Sequence, residues 1–552
     1  MRRPDRSRAA AAAAALIALA GLGLAAGADL LAPAPAAAPL TTPTETASPR
    51  SVALGCAPGI LDPLDPYAAG LPAQWWTSTG PAQGGTAGSA LTATADAGVT
   101  VDVPTGVVVA GQGGGELRGL GLIPCQAASG DQWLAAGSTE VGEDLVLILV
   151  NPGQTASQVS VSAIGAGGPA GDPQSVTVPA GQTVTALPAA WFPDQTRPAL
   201  HVQADGPGVV AWLQSSGMDG EVPTGLTWAS SLRAAPHLVL PGVEAGAPSS
   251  METDATGTAG TDATEAGTAP SGGSSAATLR LGVPGEDPAT VSVTVATADG
   301  VRELAGATGI QIDPGTTLDL DLAGLPGSGP VTLIVDADQP VLATALTAAS
   351  GAVWPGGGQT WMSRTAVAPA LALTRTALPG AQALADLIDQ QMTADAARAT
   401  TVPTSSGADG IAVSLVLANT GDQPARVTLG GQSVDVPVGT TVIRDLPAGP
   451  SSLEVAGAEG QSGDGGQSGA DVAGTNAAGQ SGNAESGGSS AGQSGSAGQS
   501  GAGAASSHAT SGPSVHAAVL VIVTTPTGPV TAVWPLGAEG LAARSMPVAV
   551  IP

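Results

Sequence analysis

The sequence contains no lysine, and only 11% of its 552 residues carry a charge. The absence of lysine excludes a Schiff-base enzyme and a Walker-type phosphate loop, since each depends on a lysine amine. The 16 basic residues are all arginine; against 44 acidic residues they leave a formal net charge of −28. A chain this acidic repels phosphate backbones, so we expect no nucleic-acid partner.

The N-terminus has the pattern of a secretory signal. Residues 1–8 carry four arginines and one aspartate, and residues 9–28 carry no charge. A charged region followed by an apolar stretch is typical of export, and an apolar helix of this length can also remain as a membrane anchor. We therefore expect the chain at the outer face of the cytoplasmic membrane or in the cell envelope, and leave cleavage or retention open.

Cysteine is also scarce, since the chain has only Cys56 and Cys125. A zinc site needs more ligands nearby, and the four histidines are scattered along the chain. A cysteine nucleophile needs a histidine and a protected pocket, and nothing local indicates either. An even pair in an oxidising exterior is typical of a disulfide, so we predict a Cys56–Cys125 bridge.

The strongest pattern is an internal repeat with a period of about 130 residues. In each copy an alternating strand, a short polar turn and a second alternating strand follow one another, which predicts a hairpin. The three openings are LILVNPGQTASQVSVSAIG at 147–165, LRLGVPGEDPATVSVTVATADG at 279–300 and VSLVLANTGDQPARVTLGG at 413–431.

Each copy continues with a turn in which proline presets φ and glycine accepts a positive φ, at residues 179–183, 314–317 and 437–441. A strand after a proline then closes each copy: PHLVLP from Pro236, PALAL from Pro369 and PVAVIP from Pro547. Six or seven short strands per copy predict an all-β fold of tandem antiparallel, immunoglobulin-like β-sandwich units. A single propeller is the alternative, although long spacers do not suit radial closure.

Composition divides the chain further. Two low-complexity tracts predict disorder, and Leu384, Ile388 and Met392 at helical spacing predict a short helix over 383–398 that packs on the adjacent sandwich. The predicted segments are a signal peptide or anchor (1–28), a Pro/Ala-rich tether (29–50), a Cys-paired segment (51–132), sandwich units (133–243, 278–380 and 410–552), a disordered linker (244–277), a helical linker (381–409) and a disordered insertion (460–514).

No motif carries a recognisable chemistry. The G-x-S-x-G match at 488–492 lies in a low-complexity tract with no strand before it, so it does not predict a nucleophile elbow. The pairs Asp319/Asp321 and Asp336/Asp338 each share one face of a predicted strand. Glycoside hydrolysis or calcium binding is conceivable there, but a solvated face explains them. We predict no catalytic residue, no metal and no cofactor, and a protein that is not an enzyme.

Tryptophan is abundant, with nine residues against one Phe and one Tyr. Trp75 and Trp76 lie on a proline-rich stretch, where flat rings could stack on a sugar, so they are candidate ligand contacts. Four others recur at similar places in different copies, Trp212 with Trp534 and Trp228 with Trp361, and we predict that they fill cores of small residues.

The order of these features resembles a known family. An N-terminal apolar segment and the cysteine pair are followed by WLAAGS from Trp133, LVNPGQTASQVSV from Leu149 and VPAGQTV from Val178. Over residues 50–552 the chain is similar to a domain-of-unknown-function family of uncharacterised exported envelope proteins from high-GC Gram-positive bacteria. The resemblance implies a β-rich ectodomain in the cell envelope and supplies no catalytic residues.

We therefore expect a non-enzymatic, exported cell-envelope protein whose units, on flexible spacers, bind or scaffold a partner. One alternative is a glycan-binding module of the cell wall that uses Trp75 and Trp76. Another is an acidic ectodomain subunit of a membrane complex. The expected partner is a cell-wall glycan or an envelope protein, with membrane contact through the N-terminal segment if it is not cleaved.

Overall fold

In a computed structural model the chain separates into two compact units, Met1–Pro49 with Leu541–Pro552, and Arg50–Gly540. In the first unit, Thr44–Ala47 pairs antiparallel with Arg544–Pro547. The other described residues all belong to the second unit. The structure describes residues 44–47, 51–66, 71–78, 89–94, 104–206, 208–244, 277–322, 324–325, 329–353, 360–396, 410–456, 512–525, 528–537 and 544–547.

The described chain is mainly β-strand in several sheets, as predicted, with one α-helix. Before the first copy come β1 (Thr44–Ala47), β2 (Ser51–Cys56), β3 (Gln74–Thr77), β4 (Ser89–Thr94), β5 (Gly106–Gln112), β6 (Gly119–Pro124) and β7 (Gln126–Ala127). To the first copy we assign β8 (Asp131–Leu134), β9 (Glu143–Val150), β10 (Ser157–Gly165), β11 (Gly168–Pro169), β12 (Gln174–Val178), β13 (Thr183–Ala186), β14 (Ala199–Ala204), β15 (Val210–Asp219) and β16 (Val222–Ser230).

The later elements repeat this sequence of strands. To the second copy we assign β17 (Ala235–Glu244), β18 (Ala277–Gly282), β19 (Ala289–Thr297), β20 (Gly300–Glu303), β21 (Ile310–Ile312), β22 (Thr317–Asp321), β23 (Pro330–Val353) and β24 (Thr360–Val367). The third copy has β25 (Arg375–Leu378), helix α1 (Ala381–Ala396), β26 (Gly410–Asn419), β27 (Ala425–Leu429), β28 (Gln432–Val436), β29 (Thr441–Asp445), β30 (Ser451–Ala456), β31 (Val515–Thr525) and β32 (Gly528–Pro535); β33 is Arg544–Pro547.

One strand order recurs in the three copies, which confirms the repeat. One sheet of each copy runs β12-β10-β14-β8, β20-β19-β23-β17 or β28-β27-β30-β25. The other sheet runs β13-β9-β15-β16, β22-β18-β23-β24 or β29-β26-β31-β32. The long β23 takes part in both sheets of the second copy. In each copy the two sheets enclose a common hydrophobic cluster.

The prediction that each copy opens with a hairpin is wrong. β9 and β10 do not pair with each other, since β9 pairs with β13 and β15 while β10 pairs with β12 and β14. The chain crosses instead from one sheet to the facing one. Asn151 holds this crossing, because its amide donates to the Val178 carbonyl at 3.0 Å and accepts from the Gly153 N–H at 2.9 Å. Asn419 makes the matching bonds in the third copy, to Val436 and from Gly421.

We predicted that the strand PHLVLP closes the first copy, and this is wrong. The strand opens the second copy instead. It lies in β17, which pairs antiparallel with β23, and Leu238 and Leu240 are buried in the core of the second copy. The predicted closing strand PALAL, from Pro369, is wrong as well, because residues 369–373 form no strand; they lead to β25, which pairs with β30 of the third copy. The chain of residues 245–276 therefore joins two strands of the second copy rather than two copies.

The predicted turns are confirmed. Gly181, Gly315 and Gly439 occupy the same place in the three copies and have φ values of 65°, 68° and 67°. A side chain with a Cβ rarely adopts this left-handed conformation, so glycine is required at each turn.

The hairpin β5–β6 lies between copies and is buried on both faces. Val108 and Ala110 pack in a cluster with the first copy, whereas Val107 and Val109 pack in a cluster with the third copy and α1. Successive side chains of a strand point to opposite faces, so this one strand contributes to two cores. The predicted helix is confirmed as α1, and Ile388 is among its buried residues.

Several predictions fall outside the described residues. They concern the N-terminal apolar segment, most of the tether, the low-complexity chain of residues 245–276 and 457–511, and the final residues 548–552. Among the residues that are described, no helix has both the length and the hydropathy needed to cross a membrane.

Buried arginines join the copies. The Arg118 side chain is fully buried and donates to the carbonyls of Met362 in the second copy and of Gly528 and Pro529 in the third, at 2.8–3.1 Å. Its own carbonyl accepts from the Leu226 N–H of the first copy at 2.7 Å. Burial lowers the pKa of Arg118 to about 10, so the guanidinium stays charged at neutral pH.

Two further arginines cross from the second copy to the first. Arg364 forms a bidentate ion pair with Glu143, in which Nη1 donates to Oε2 at 2.5 Å and Nη2 donates to Oε1 at 2.6 Å. Arg280 pairs with Asp319 through two bonds of 2.9 Å and also donates to the Gly137 carbonyl at 2.6 Å. The copies are thus locked together by charge-assisted hydrogen bonds, and not suspended on flexible spacers.

Replacing Arg364 by methionine should destabilise the protein by about 2 kcal/mol, because Glu143 would lose a bidentate partner at a partly buried contact. The measurement is the midpoint of urea unfolding. Arg426→Met is the matched control, because the Arg426–Asp435 pair is exposed, and its loss should cost no more than about 0.5 kcal/mol. Equal effects of the two substitutions would contradict a locking role for Arg364.

Candidate functional site

The predicted disulfide is present between Cys56 and Cys125. Cys56 ends β2 and Cys125 follows β6, so the bridge fastens the N-terminal segment to the buried hairpin. Both cysteines lie in the cluster that this segment shares with the first copy.

The candidate ligand contacts Trp75 and Trp76 both lie in β3, and the structure places both rings in packing contacts. Trp75 is only 8% exposed and belongs to the cluster around the disulfide. Trp76 is half-buried and meets the ring of Trp534 edge to face, with centroids 6.3 Å apart. Stacking of Trp75 on a sugar would require the ring to leave the core.

The recurring tryptophans are buried, as predicted: Trp212, Trp228, Trp361 and Trp534. The proposed match of Trp212 with Trp534 is wrong, however. Trp212 lies in β15, which pairs with β9, whereas Trp534 lies in β32, the strand that corresponds to β16. The strand correspondence of Trp228 and Trp361 holds, since β16 and β24 take the same place in their sheets.

One cavity, which we call the junction cleft, lies where the copies meet and has a volume of about 270 Å³. Four parts of the chain form it, and sequence spacing gave no sign that they meet. They are Leu54, residues 104–106, 124–127 and Ser129 of the N-terminal segment; residues 230–233, 235 and 237–239, which run from the end of β16 into β17; residues 368–372 and Thr376, after β24 and in β25; and His516 with residues 534–537 of the third copy.

The charges along the junction cleft differ from those of the whole chain. Arg233, His237 and His516 line it, and among the residues that the structure describes no aspartate or glutamate does, although acids outnumber arginines 44 to 16 in the sequence. Of these three side chains, His237 contacts an acid outside the lining: its Nδ1 lies 2.7 Å from the carboxylate of Asp336. The rest of the lining is mainly aliphatic, so the cleft disfavours a cationic ligand.

His516 forms a buried part of the cleft wall. Its Nδ1 lies 2.9 Å from the Ala370 carbonyl and therefore donates to it, while Nε2 lies 3.3 Å from the Ser514 hydroxyl. Burial lowers the pKa of His516 to about 4, since desolvation penalises the imidazolium more than the Ala370 bond favours it. The ring is neutral at pH 7.

The contact between Ser514 and His516 resembles a nucleophile beside a base, with the Ala370 carbonyl as the group that orients the ring. A general base must become an imidazolium during the reaction, and burial opposes that charge here. The pair therefore fits a structural hydrogen bond better than catalysis.

The paired aspartates have structural partners. Asp319 holds Arg280, Asp336 holds His237, and Asp338 accepts the Thr290 N–H at 2.7 Å. For Asp319 the expected solvated face is wrong, because its ion pair with Arg280 is largely buried. Within the described ranges no three His, Cys, Asp or Glu residues are grouped so that they could hold a metal ion.

Comparison with protein-family models gives a match. The sequence model of a family of unknown function, DUF5719, matches residues 79–388, from the N-terminal segment through the first two copies to α1. No curated protein and no solved structure matches the chain.

Removing the disulfide with Cys56→Ala and Cys125→Ala should destabilise the protein by about 4 kcal/mol, because the bridge closes a loop of 69 residues in the unfolded chain. The urea midpoint of the double variant gives the value, and the natural chain with the bridge reduced by dithiothreitol, which keeps both cysteine side chains, is the control for lost packing. A double variant as stable as the natural chain would show that the bridge contributes nothing to the fold.

Acid should destabilise the protein through His516. Between pH 6.5 and about 4 the unfolded chain binds a proton at this residue that the folded chain does not. Stability contributed by the neutral ring is therefore complete above pH 6.5 and falls with pH, by about 3 kcal/mol at pH 4.

A proton NMR titration tests the cause directly. The His516 ring signal, assigned by its absence in His516→Asn, should not move between pH 7 and about 5. His516→Asn should also flatten the loss of stability with acid. A ring signal that titrates near pH 6.5 would contradict the buried, neutral state.

Proposed function

Since the chain belongs to the DUF5719 family, a family of unknown function, we propose a function from its own geometry: it is a non-enzymatic, exported cell-envelope protein that acts as a binding or scaffolding ectodomain. The observation that carries the proposal is the locking of three copies by buried arginines. The single residue Arg118 forms hydrogen bonds to all three copies. Such contacts give a rigid body suited to presenting surfaces in a fixed arrangement.

The finer fold belongs to this proposal. Each copy is an immunoglobulin-like β-sandwich, supported by two sheets of at least four strands that enclose one hydrophobic cluster. Crossings between facing sheets, such as the one held by Asn151, are typical of sandwiches.

Export is supported by two independent features. The N-terminal residues 1–28 have the charge and apolar pattern of a secretory signal. The Cys56–Cys125 bridge is of the kind that persists in oxidising compartments.

Among the alternatives, the acidic partner of an envelope complex has the firmer support, because the formal charge of −28 favours a basic partner. The glycan-binding alternative depends on Trp75 and Trp76, which are engaged in packing. We therefore propose that the protein binds an envelope component through its acidic surface.

Co-sedimentation of the full-length protein with isolated bacterial cell walls tests the proposal. We expect retention at ~0.05 M salt and release at ~1 M, because the Debye length falls to about 3 Å. An unrelated soluble protein of similar size and acidity is the control.

Retention that persists at high salt and is released by soluble wall glycan would favour the glycan alternative instead. If no protein sediments at either salt, the wall-binding function is wrong.

A further inference from the structure

We propose that the junction cleft binds a small neutral aliphatic molecule, of the class of a medium-chain alcohol. This ligand site lies beyond the envelope function proposed above and does not depend on it. Its experiment uses the purified protein without cell walls, so either proposal can fail without the other.

Much of the cleft wall is aliphatic and buried. Leu54, Leu232, Leu238 and Leu536 line it, together with the ring of Trp534. These residues come from the N-terminal segment, the connection between the first two copies, the second copy and the third copy. A ligand in this place would therefore contact apolar groups from several directions, as ligands do in most small-molecule sites.

The apolar surface of the cleft continues to the solvent. Leu371 lines the cleft and is 43% exposed, and its neighbour Ala372 lines it and is exposed as well. An aliphatic side chain gives up no hydrogen bond when a ligand covers it, so covering Leu371 adds to the free energy of binding. The opening of the cleft therefore favours an apolar ligand, as the buried wall does.

The basic side chains of the wall already have partners. His237 contacts the carboxylate of Asp336, and the buried ring of His516 contacts the Ala370 carbonyl. Arg233 also has an interaction partner within the protein. Among the described residues that line the cleft there is no carboxylate. A charged ligand would therefore lose hydration without gaining an ion pair, a cost that a neutral ligand does not meet.

Uncharged polar groups of the wall bond to one another. The Ser231 hydroxyl donates to the Gln126 side chain at 3.1 Å, and the Thr105 hydroxyl lies 3.4 Å from that of Thr376. All four of these residues line the cleft. Because these groups satisfy each other, a ligand needs no polar atoms to replace their lost water.

The volume of the cleft limits the size of the ligand. The cleft holds about 270 Å³, which corresponds to about nine water molecules at ~30 Å³ each. An aliphatic molecule of about ten to twelve non-hydrogen atoms has a comparable size. Longer chains would have to extend into solvent and would lose part of the apolar contact that stabilises binding.

Isothermal titration calorimetry of the full-length protein with 1-decanol, below its solubility limit, is the first test. We expect one binding site per chain. Ala372→Trp should weaken decanol binding at least about tenfold, because Ala372 lines the cleft and is exposed, so that the larger ring fills space without a core change. Ala166→Trp, at an exposed turn away from the cleft, is the matched control and should have no effect.

A second pair of variants tests the apolar contact at the opening. Leu371→Ser should weaken decanol binding about fivefold, because it removes exposed aliphatic surface without leaving a cavity in a core. Ile443→Ser is the matched control, since Ile443 is 41% exposed and is not among the residues that line the cleft. This control should leave the affinity unchanged, and an equal loss in both variants would contradict a local contact with Leu371.

A series of ligands with one ten-carbon chain tests the neutral head group. Decanoate and decylammonium, measured at ~0.15 M salt to screen the net charge of the chain, should each bind at least about tenfold more weakly than decanol, because neither charge finds a free partner in the wall. If either charged ligand bound as tightly as decanol, the assignment of a neutral ligand would be wrong.

The remaining outcomes separate this proposal from the envelope function. Absence of decanol binding, or binding that Ala372→Trp leaves intact, would rule out the cleft as the site. If decanol binds as expected while cell walls do not retain the protein, the cleft stands and the wall-binding function fails. Retention by cell walls without decanol binding would give the reverse result.

Discussion

The described part of the protein depends on one constraint, the burial of the β5–β6 hairpin on both faces. Val107 and Val108 are neighbours in the chain, yet they belong to the hydrophobic clusters of different copies. A strand that is apolar on both sides cannot face water, so it must be enclosed by two partners. The disulfide ties this hairpin to β2, and Arg118, in the turn before β6, bonds to each copy.

Much of the fold could be predicted from the sequence, and the limit has a physical cause. Alternation fixes which side chains face a core, and the turn residues fix where the chain reverses. The strands and turns were predictable for that reason. The repeat was predictable from similar segments that recur along the chain, and the burial of four tryptophans from their recurrence in the copies. Alternation does not say which strand is the neighbour, because a hairpin and a crossing between facing sheets bury the same side chains. Asn151 was a usable signal, since a buried amide two residues before glycine can hold such a crossing.

The candidate site was less predictable than the fold, because its residues come from distant parts of the chain. Arg233 and His516 lie 283 positions apart in the numbering and share a cleft only once three copies have packed. The scarcity of basic residues, 16 arginines and no lysine, is itself a signal for buried interactions. In a chain with so few cations, a buried guanidinium must be matched to carbonyls or carboxylates, as Arg118 and Arg280 are.

The position of the cleft couples any ligand to the arrangement of the copies. Its walls include residues 231–233 and 368–372, which lie in the two connections between successive copies. A ligand that contacts both connections binds the packed state better than a separated one. It therefore stabilises the packing by an amount that grows with its concentration relative to Kd. The converse also holds. Contacts between copies, such as the ion pair of Arg364 with Glu143, hold the cleft in its packed form before the ligand binds. The binding free energy is then not reduced by the free energy of bringing the copies together.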